Sequence, residues 1–301
     1  MAVSDRAPAR KKKGYSKLET SCRMALRRNL KYAWIDTCCI DKSSSTELSE
    51  AINSMYRYYT EAEVCFAFLD DVQMLRDLNE SVWFRRGWTL QELIAPRDMC
   101  FYSATWQTLG SKKSLCDEVA SASAISVKVL QNQSELREIC VSEKMSWAAR
   151  RSTTRPEDQA YSLMGLFGVN ISPLYGEGGV KAFRRLQLEI MQVTPDHTLF
   201  AWRSYTTNGD MLAPTVEHFV EGGRYERAEF DKGITEIHFP NEQFSKPDYT
   251  MTNFGLHIQL PIWTLPWGAD DDKLCLERHT SPNLEHDITV TIHVRHVEGP
   301  F

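Results

Sequence analysis

Apolar and polar positions change period several times along the chain, and each change predicts an element. From Tyr15, the residues Leu18, Cys22, Ala25, Leu26 and Asn29 recur at helical spacing, and Arg27, Arg28 and Lys31 sit where a helix dipole favours cations. The run Tyr32-Ala33-Trp34-Ile35-Asp36-Thr37-Cys38-Cys39-Ile40 is then almost continuously aromatic or branched, which predicts a strand buried on both faces. A polar turn at Asp41–Ser45 follows, and Ser44 with Glu47 has the spacing of a capping box. Leu48, Ile52, Met55, Tyr59 and Ala62 form the stripe of the next helix, down to about Glu61. Val64–Leu69 reads as a second buried strand ending in Asp70-Asp71, and Met99–Tyr102 as a third. Between those two strands, Gly87 loosens the backbone and Pro96 stops it, leaving room for roughly two turns of helix.

Residues 111–192 read as mainly helical, with candidates at Lys112–Ala122, Ser142–Arg151, Glu157–Phe167 and Gly179–Gln192. Thr154 and Glu157 make a second capping-box pair, and Pro156 falls in the first turn, where a missing N–H costs little. The loop Tyr175-Gly176-Glu177-Gly178-Gly179 can cradle an anion on its N–H groups, although it lacks the phosphate-loop pattern. Beyond Ala201 the texture turns to short strands, at Ile234–Phe239, Tyr249–Thr252, Leu256–Leu260 and Ile288–Val294. The expected organisation is a basic, disordered tail over residues 1–14, an α/β domain over 15–205 and a β-rich region over 206–301 that is itself incomplete. Strands alternating with helices imply right-handed crossovers and an open, mostly parallel sheet. In such sheets ligands bind beyond the carboxyl ends of the strands, which puts Asp36 and Asp70-Asp71 at a candidate rim.

Candidate chemistry concentrates in Trp83-Phe84-Arg85-Arg86-Gly87-Trp88-Thr89-Leu90-Gln91-Glu92-Leu93-Ile94-Ala95-Pro96. At about 100° per residue Trp88, Gln91 and Glu92 share one arc, opposite Leu90, Leu93 and Ile94. A carboxylate and an indole therefore occupy the face the core does not need; the plain alternative is a solvated Glu92 or an ion pair with Arg85 or Arg86. Composition narrows the field further. With 42% hydrophobic and 25% charged residues the chain can bury a core, and a formal charge of −5 argues against a general nucleic-acid binder. No apolar run reaches a membrane span, and the charged N-terminus is unlike a secretory signal, so a cytoplasmic protein with reduced cysteines is expected. The eight cysteines show no C-x-x-C pair, Cys38 and Cys39 are adjacent, and the histidines are scattered, so no metal site is expected.

Three stretches together resemble the fungal heterokaryon-incompatibility (HET) domain family. They are Trp34-Ile35-Asp36-Thr37-Cys38-Cys39-Ile40-Asp41-Lys42, Arg86-Gly87-Trp88-Thr89-Leu90-Gln91-Glu92-Leu93, and Met145–Arg151 continuing through Glu157–Gly165. The resemblance covers roughly residues 15–202, and Met251–Leu256 looks like the β-rich region that follows the domain in the same subgroup. It implies a role in fungal non-self recognition, in which such domains trigger programmed cell death, acting through self-association or another incompatibility protein. The family is regarded as a distant relative of TIR domains, which implies a TIR/flavodoxin-like sheet. In TIR enzymes a Trp and a Glu on a helix form an NAD-cleaving site, so Glu92 takes the catalytic role by resemblance and Trp88 stacks on nicotinamide. Arg86, Asp36 and Gln91 become substrate-binding candidates, with NAD as substrate and no resident cofactor. One departure stands out: the family's usual opening strand, of the type Leu-Ser-Tyr-x-Trp-Gly, is absent before Tyr15. That absence sets a catalytically inactive interaction or oligomerisation module beside the NAD glycohydrolase as the second expectation.

Overall fold

The computed structural model describes residues 14–131, 136, 138–203, 211–225, 249–252 and 255–258. The chain divides into two compact units, the first made of residues up to Phe84 with Trp88–Gln131, the second of Arg85–Gly87 with residues 132 onward. The division expected near residue 205 falls inside the second unit.

The first unit runs α1 (Tyr15–Arg27), α2 (Asp36–Cys39), α3 (Ser45–Glu61), β1 (Cys65–Phe68), α4 (Thr89–Ile94), β2 (Met99–Tyr102), β3 (Thr108–Ser111), α5 (Cys116–Ser123) and α6 (Val127–Leu130). The α3 helix starts as its residues require: Ser44 Oγ accepts the Glu47 N–H at 3.3 Å, and Glu47 Oε1 reaches back to the Asp41 N–H at 2.8 Å. Strand β1 pairs in parallel with β2, a geometry that needs a crossover, and residues 69–98 with α4 supply it. Strand β3 then pairs antiparallel with β2, giving the order β1-β2-β3. The architecture is mixed helix and sheet, but the described sheet is half parallel rather than mostly so. The antiparallel strand is added by a short reversal in which Trp106 takes a left-handed φ of 64°. The core between sheet and helices is dry: Leu69, Val72, Leu78, Leu90, Leu93, Phe101, Tyr102, Val119 and Ile125 are each at most 1% exposed.

Tyr32–Ile40 is not the buried strand its composition predicts. Tyr32 is 91% exposed, and the Cys38 and Cys39 N–H groups both fold back onto the Ile35 carbonyl to make the single turn of α2. The aromatic residues that read as a strand serve another purpose. Trp34 packs on Tyr58 and Tyr59 of α3, with ring centroids 5.2 and 5.8 Å away, while Ile40 closes a small cluster with Ala51 and Met55. Aromatic and branched residues fit any half-buried surface, and here that surface is a helix.

The second unit contains α7 (Val141–Ala148), α8 (Asp158–Tyr161), α9 (Met164–Phe167), α10 (Gly179–Val193) and a hairpin of β4 (Tyr249–Thr252) with β5 (Gly255–Ile258). The predicted Glu157–Phe167 helix is broken after Tyr161, and its second piece ends at Gly168 with φ 67°, a left-handed stop natural to glycine. Helix α10 packs on α8, and its Ala182, Phe183 and Leu186 are all without solvent contact. The expected strands at Ile234–Phe239 and Ile288–Val294, the basic stretch before Gly14, and His286, His293 and His296 lie outside the described residues.

Candidate functional site

The site candidates of the first unit gather around one tyrosine. Trp88 continues the helical phase of α4 from its N-terminal side, with φ −60° and ψ −31°, so Trp88 and Glu92 stand one turn apart on the same face. Both are half-buried, whereas Thr89, Leu90, Leu93 and Ile94 are in the core. Glu92 accepts a hydrogen bond from the hydroxyl of Tyr59. Burial pushes the Tyr59 hydroxyl well above its ordinary value, and the nearby Glu92 and Asp36 carboxylates push it further. Tyr59 therefore remains a proton donor toward Glu92 at any physiological pH. The structure brings Asp36 and Glu92 into the field of the same hydroxyl, with Asp36 exposed at the start of α2.

One indole packs on this tyrosine and a second shares its hydrophobic cluster. Trp34 meets Tyr59 edge-on at 89°, and Trp88 joins Tyr59 and Leu48 against the Ile40, Ala51 and Met55 cluster. Cys65, at the start of β1, lies close enough to Glu92 that burial and this charge raise its thiol to about 12, with Lys112 opposing. The local chemistry is thus a carboxylate beside an undissociated phenol and thiol, walled by aromatic rings: suited to stabilising a cation and stacking a flat base.

Gln91 departs from the shared arc. It is 2% exposed, and its Nε2 has no hydrogen-bond partner among the described residues. Arg86 belongs to the second unit, where its side chain is exposed and its backbone is held. The Gly87 N–H donates to the Ser152 carbonyl at 2.8 Å, the Ser152 N–H to Arg85 at 2.7 Å, and Arg151 Nη1 to the Arg86 carbonyl at 3.1 Å. Gly87 is there for close approach rather than looseness, since a Cβ would lie 2.4 Å from Thr153 Cγ2. Of the acidic pair after β1, Asp71 is committed to accepting from Ser81 Oγ at 2.8 Å and the Val82 N–H at 2.6 Å.

The glycine loop of the second unit does hold an anion, and it is the chain's own. Glu157 forms no side-chain cap on α8; its Oε1 instead accepts from the Gly176 N–H at 2.9 Å and the Gly178 N–H at 3.1 Å. Its own backbone N–H and these two hold the carboxyl below its ordinary value. Glu177 in the same loop takes Tyr161 Oη at 2.8 Å and the Arg185 guanidinium at 2.5 Å, and Tyr175 Oη donates to Asp158 at 2.8 Å. This network anchors the loop to α8 and α10.

Sequence reasoning missed Tyr59, which it placed in a core stripe. The signal was available: a buried tyrosine needs a partner for its hydroxyl, as leucine in the same stripe would not. Among the described residues no group of three His, Cys, Asp or Glu side chains is placed to hold a metal ion, and no helix is long and apolar enough to cross a membrane.

The comparisons agree with the motif reading. The heterokaryon incompatibility protein (HET) family model matches residues 7–74, and a domain of unknown function (DUF8212) matches residues 181–210. Vegetative incompatibility protein HET-E-1 of Podospora anserina is 43% identical over 190 residues, which is 60% of this chain. The chain spans 14% of that relative's length. No solved structure matches. The chain is thus similar to the fungal HET family over this region, and the segment matched by the family model contains Trp34–Lys42 and ends before Trp88 and Glu92.

Proposed function

We propose that this chain is a cytoplasmic heterokaryon-incompatibility effector whose TIR-like first unit hydrolyses NAD at the nicotinamide–ribose bond. The observation that carries the reading is the placement of Glu92: a half-buried carboxylate one turn from the Trp88 indole and hydrogen-bonded by Tyr59. The reaction needs little more. As the C–N bond breaks, its electron pair leaves with nicotinamide as a neutral base, and positive charge develops on the ribose. Glu92 stabilises that charge, Trp88 stacks on the departing ring, and water adds to the ribose carbon to give ADP-ribose and a proton. Tyr59 fixes the carboxylate's orientation. Asp36 is a candidate for the ribose hydroxyls and the buried Gln91 amide for a polar group of the substrate.

The test is to incubate the purified chain with NAD and measure free nicotinamide by chromatography. Glu92→Ala and Glu92→Gln should each lower the rate by about a hundredfold or more, the scale of a lost transition-state charge partner, with circular dichroism unchanged. An equal rate in both variants would refute the assignment.

A second reading, an interaction module without activity, rests on β1. Among the described residues it pairs with β2 alone and so lies at the edge of its sheet. Absence of nicotinamide release together with concentration-dependent association, by light scattering, would favour that module; a strict monomer would remove it.

A further inference from the structure

The single turn of α2 places two thiols side by side, outside the machinery assigned to Glu92. Cys38 Sγ and Cys39 Sγ are 3.9 Å apart, and both residues are exposed. Their environments differ. Cys39 Sγ accepts the Ile35 backbone N–H at 3.4 Å and as a thiol it reaches the Ala33 carbonyl at 4.0 Å. Cys38 Sγ instead donates to the Ile35 carbonyl at 3.6 Å. We propose that Cys38 and Cys39 form an oxidisable vicinal dithiol, which a two-electron oxidant of the peroxide class converts reversibly to a disulfide between neighbouring residues.

The Cys39 sulfur attacks one oxygen of hydrogen peroxide and becomes a sulfenic acid, releasing one water. The Cys38 sulfur then displaces hydroxide from the Cys39 sulfur, and that hydroxide leaves as a second water with the Cys38 proton. Two electrons pass from the two thiols to the peroxide, and one S–S bond forms. The order of attack follows from the contacts, since desolvation and the adjacent Cys39 sulfur push the Cys38 thiol up to about 11, keeping its proton in place until the second step. Reversibility follows from geometry. Consecutive Cα atoms are about 3.8 Å apart, below the usual disulfide range of about 4.4–6.8 Å, so the eight-membered ring is strained and easily reduced. Closing it acts on the two residues whose N–H groups hold the turn to the Ile35 carbonyl, at 3.1 and 2.9 Å. The turn carries Trp34 on its N-terminal side, so the ring's formation bears on the packing of Trp34 against Tyr58 and Tyr59.

The experiment uses the full chain. It is treated with one equivalent of hydrogen peroxide, quenched with catalase, alkylated with N-ethylmaleimide and digested for mass spectrometry. The peptide holding both cysteines should appear unalkylated and lighter by two hydrogen atoms, and dithiothreitol should restore two alkylation sites. Cys38→Ser should instead accumulate a Cys39 sulfenic acid trapped by dimedone. Cys22→Ser should leave the link intact, and it keeps the test decisive should Cys38→Ser fail to fold. Full alkylation of Cys38 and Cys39 after peroxide would overturn the proposal, as would either sulfur linked to Cys22, to another cysteine or to a second chain.

Discussion

Gly87→Ala should destabilise the second unit through one contact, and a single compensating change should undo the damage. An ideal Cβ at Gly87 lies 2.4 Å from Thr153 Cγ2, 3.4 Å from Ser162 Oγ and 3.7 Å from the Ser152 carbonyl. Carbon atoms rest at about 3.5–4.0 Å, so only the first of these is an overlap, of about 1 Å or more. The glycine cannot retreat easily, because its N–H and that of Ser152 tie the two segments together at 2.8 and 2.7 Å. The threonine is fixed too, since its Oγ1 donates to the Arg155 carbonyl at 2.6 Å and swinging Cγ2 away breaks that bond. Overpacking of this kind costs about 1–3 kcal/mol, against which alanine recovers about 0.4–1 kcal/mol from a stiffer unfolded chain. The net expectation is a loss of about 1–2 kcal/mol. Thr153→Ser deletes Cγ2 and keeps the hydroxyl bond, so in that background Gly87→Ala should cost no more than about 0.5 kcal/mol. Urea unfolding of the four proteins, followed by far-ultraviolet circular dichroism, measures the cycle. An equal cost in both backgrounds would show that Gly87 is needed for something other than closeness to Thr153.

Three further changes probe the site and its supports. Tyr59→Phe keeps the ring against Trp34 and removes the hydrogen bond to Glu92, so thermal or urea unfolding should show a loss of about 1–2 kcal/mol; no change would mean that water replaces the phenol at no cost. Cys65 titrates higher in the fold, about 12, than its ordinary 9.0, so stability is full below about pH 9 and falls as pH rises toward 12. Cys65→Ala should flatten that alkaline slope by about one proton, or about 1.4 kcal/mol per pH unit, in urea midpoints taken between pH 9 and 12. Glu157 has the opposite sign: its carboxyl is held low, so its contribution is present above its ordinary value of 4.5 and disappears as pH falls through the folded value. Glu157→Gln should be less stable by about 1–2 kcal/mol at pH 7 and should converge with the unsubstituted chain in acid; parallel pH curves would contradict the cradle.

Where one period runs unbroken, the sequence was enough to read the element. Helix α3 with its Ser44 start, strands β1 and β2, and α10 appear within a few residues of where spacing put them. The failures share a cause, which is that a residue's neighbour lay far away in sequence. Tyr32–Ile40 has the composition of a strand, but among the described residues no strand pairs with it, and Trp34 found a helix instead. Strand β3, with exposed Thr108 and a central glycine, carries no alternation to detect. Glu157 sat three residues after Thr154 and read as a cap, yet two glycine N–H groups about twenty positions on outcompeted that threonine. At the site, Trp88 and Glu92 were legible as a helical pair, Tyr59 was hidden in a stripe of core residues, and Gln91 was drawn inward. The burial of its amide follows from tertiary packing of α4, which spacing alone does not report.

The carboxylates of this chain also differ in what they hold, and the difference favours Glu92 over its rivals. Asp71 and Asp196 spend both oxygens on fixed donors: Asp196 takes the Val141 N–H at 2.8 Å on one and Thr198 on the other. Glu157 is cradled by backbone N–H groups, and Glu177 is paired with a guanidinium. Each of these carboxylates is committed to donors that hold the local fold together, which gives it a structural task. Glu92 accepts the Tyr59 hydroxyl in a half-buried, aromatic setting, where that hydrogen bond orients the carboxylate. An oriented carboxylate one turn from an indole is what the proposed ribosyl cation requires, and this is why the substitution at Glu92, rather than at the acids that hold the fold together, is the decisive one.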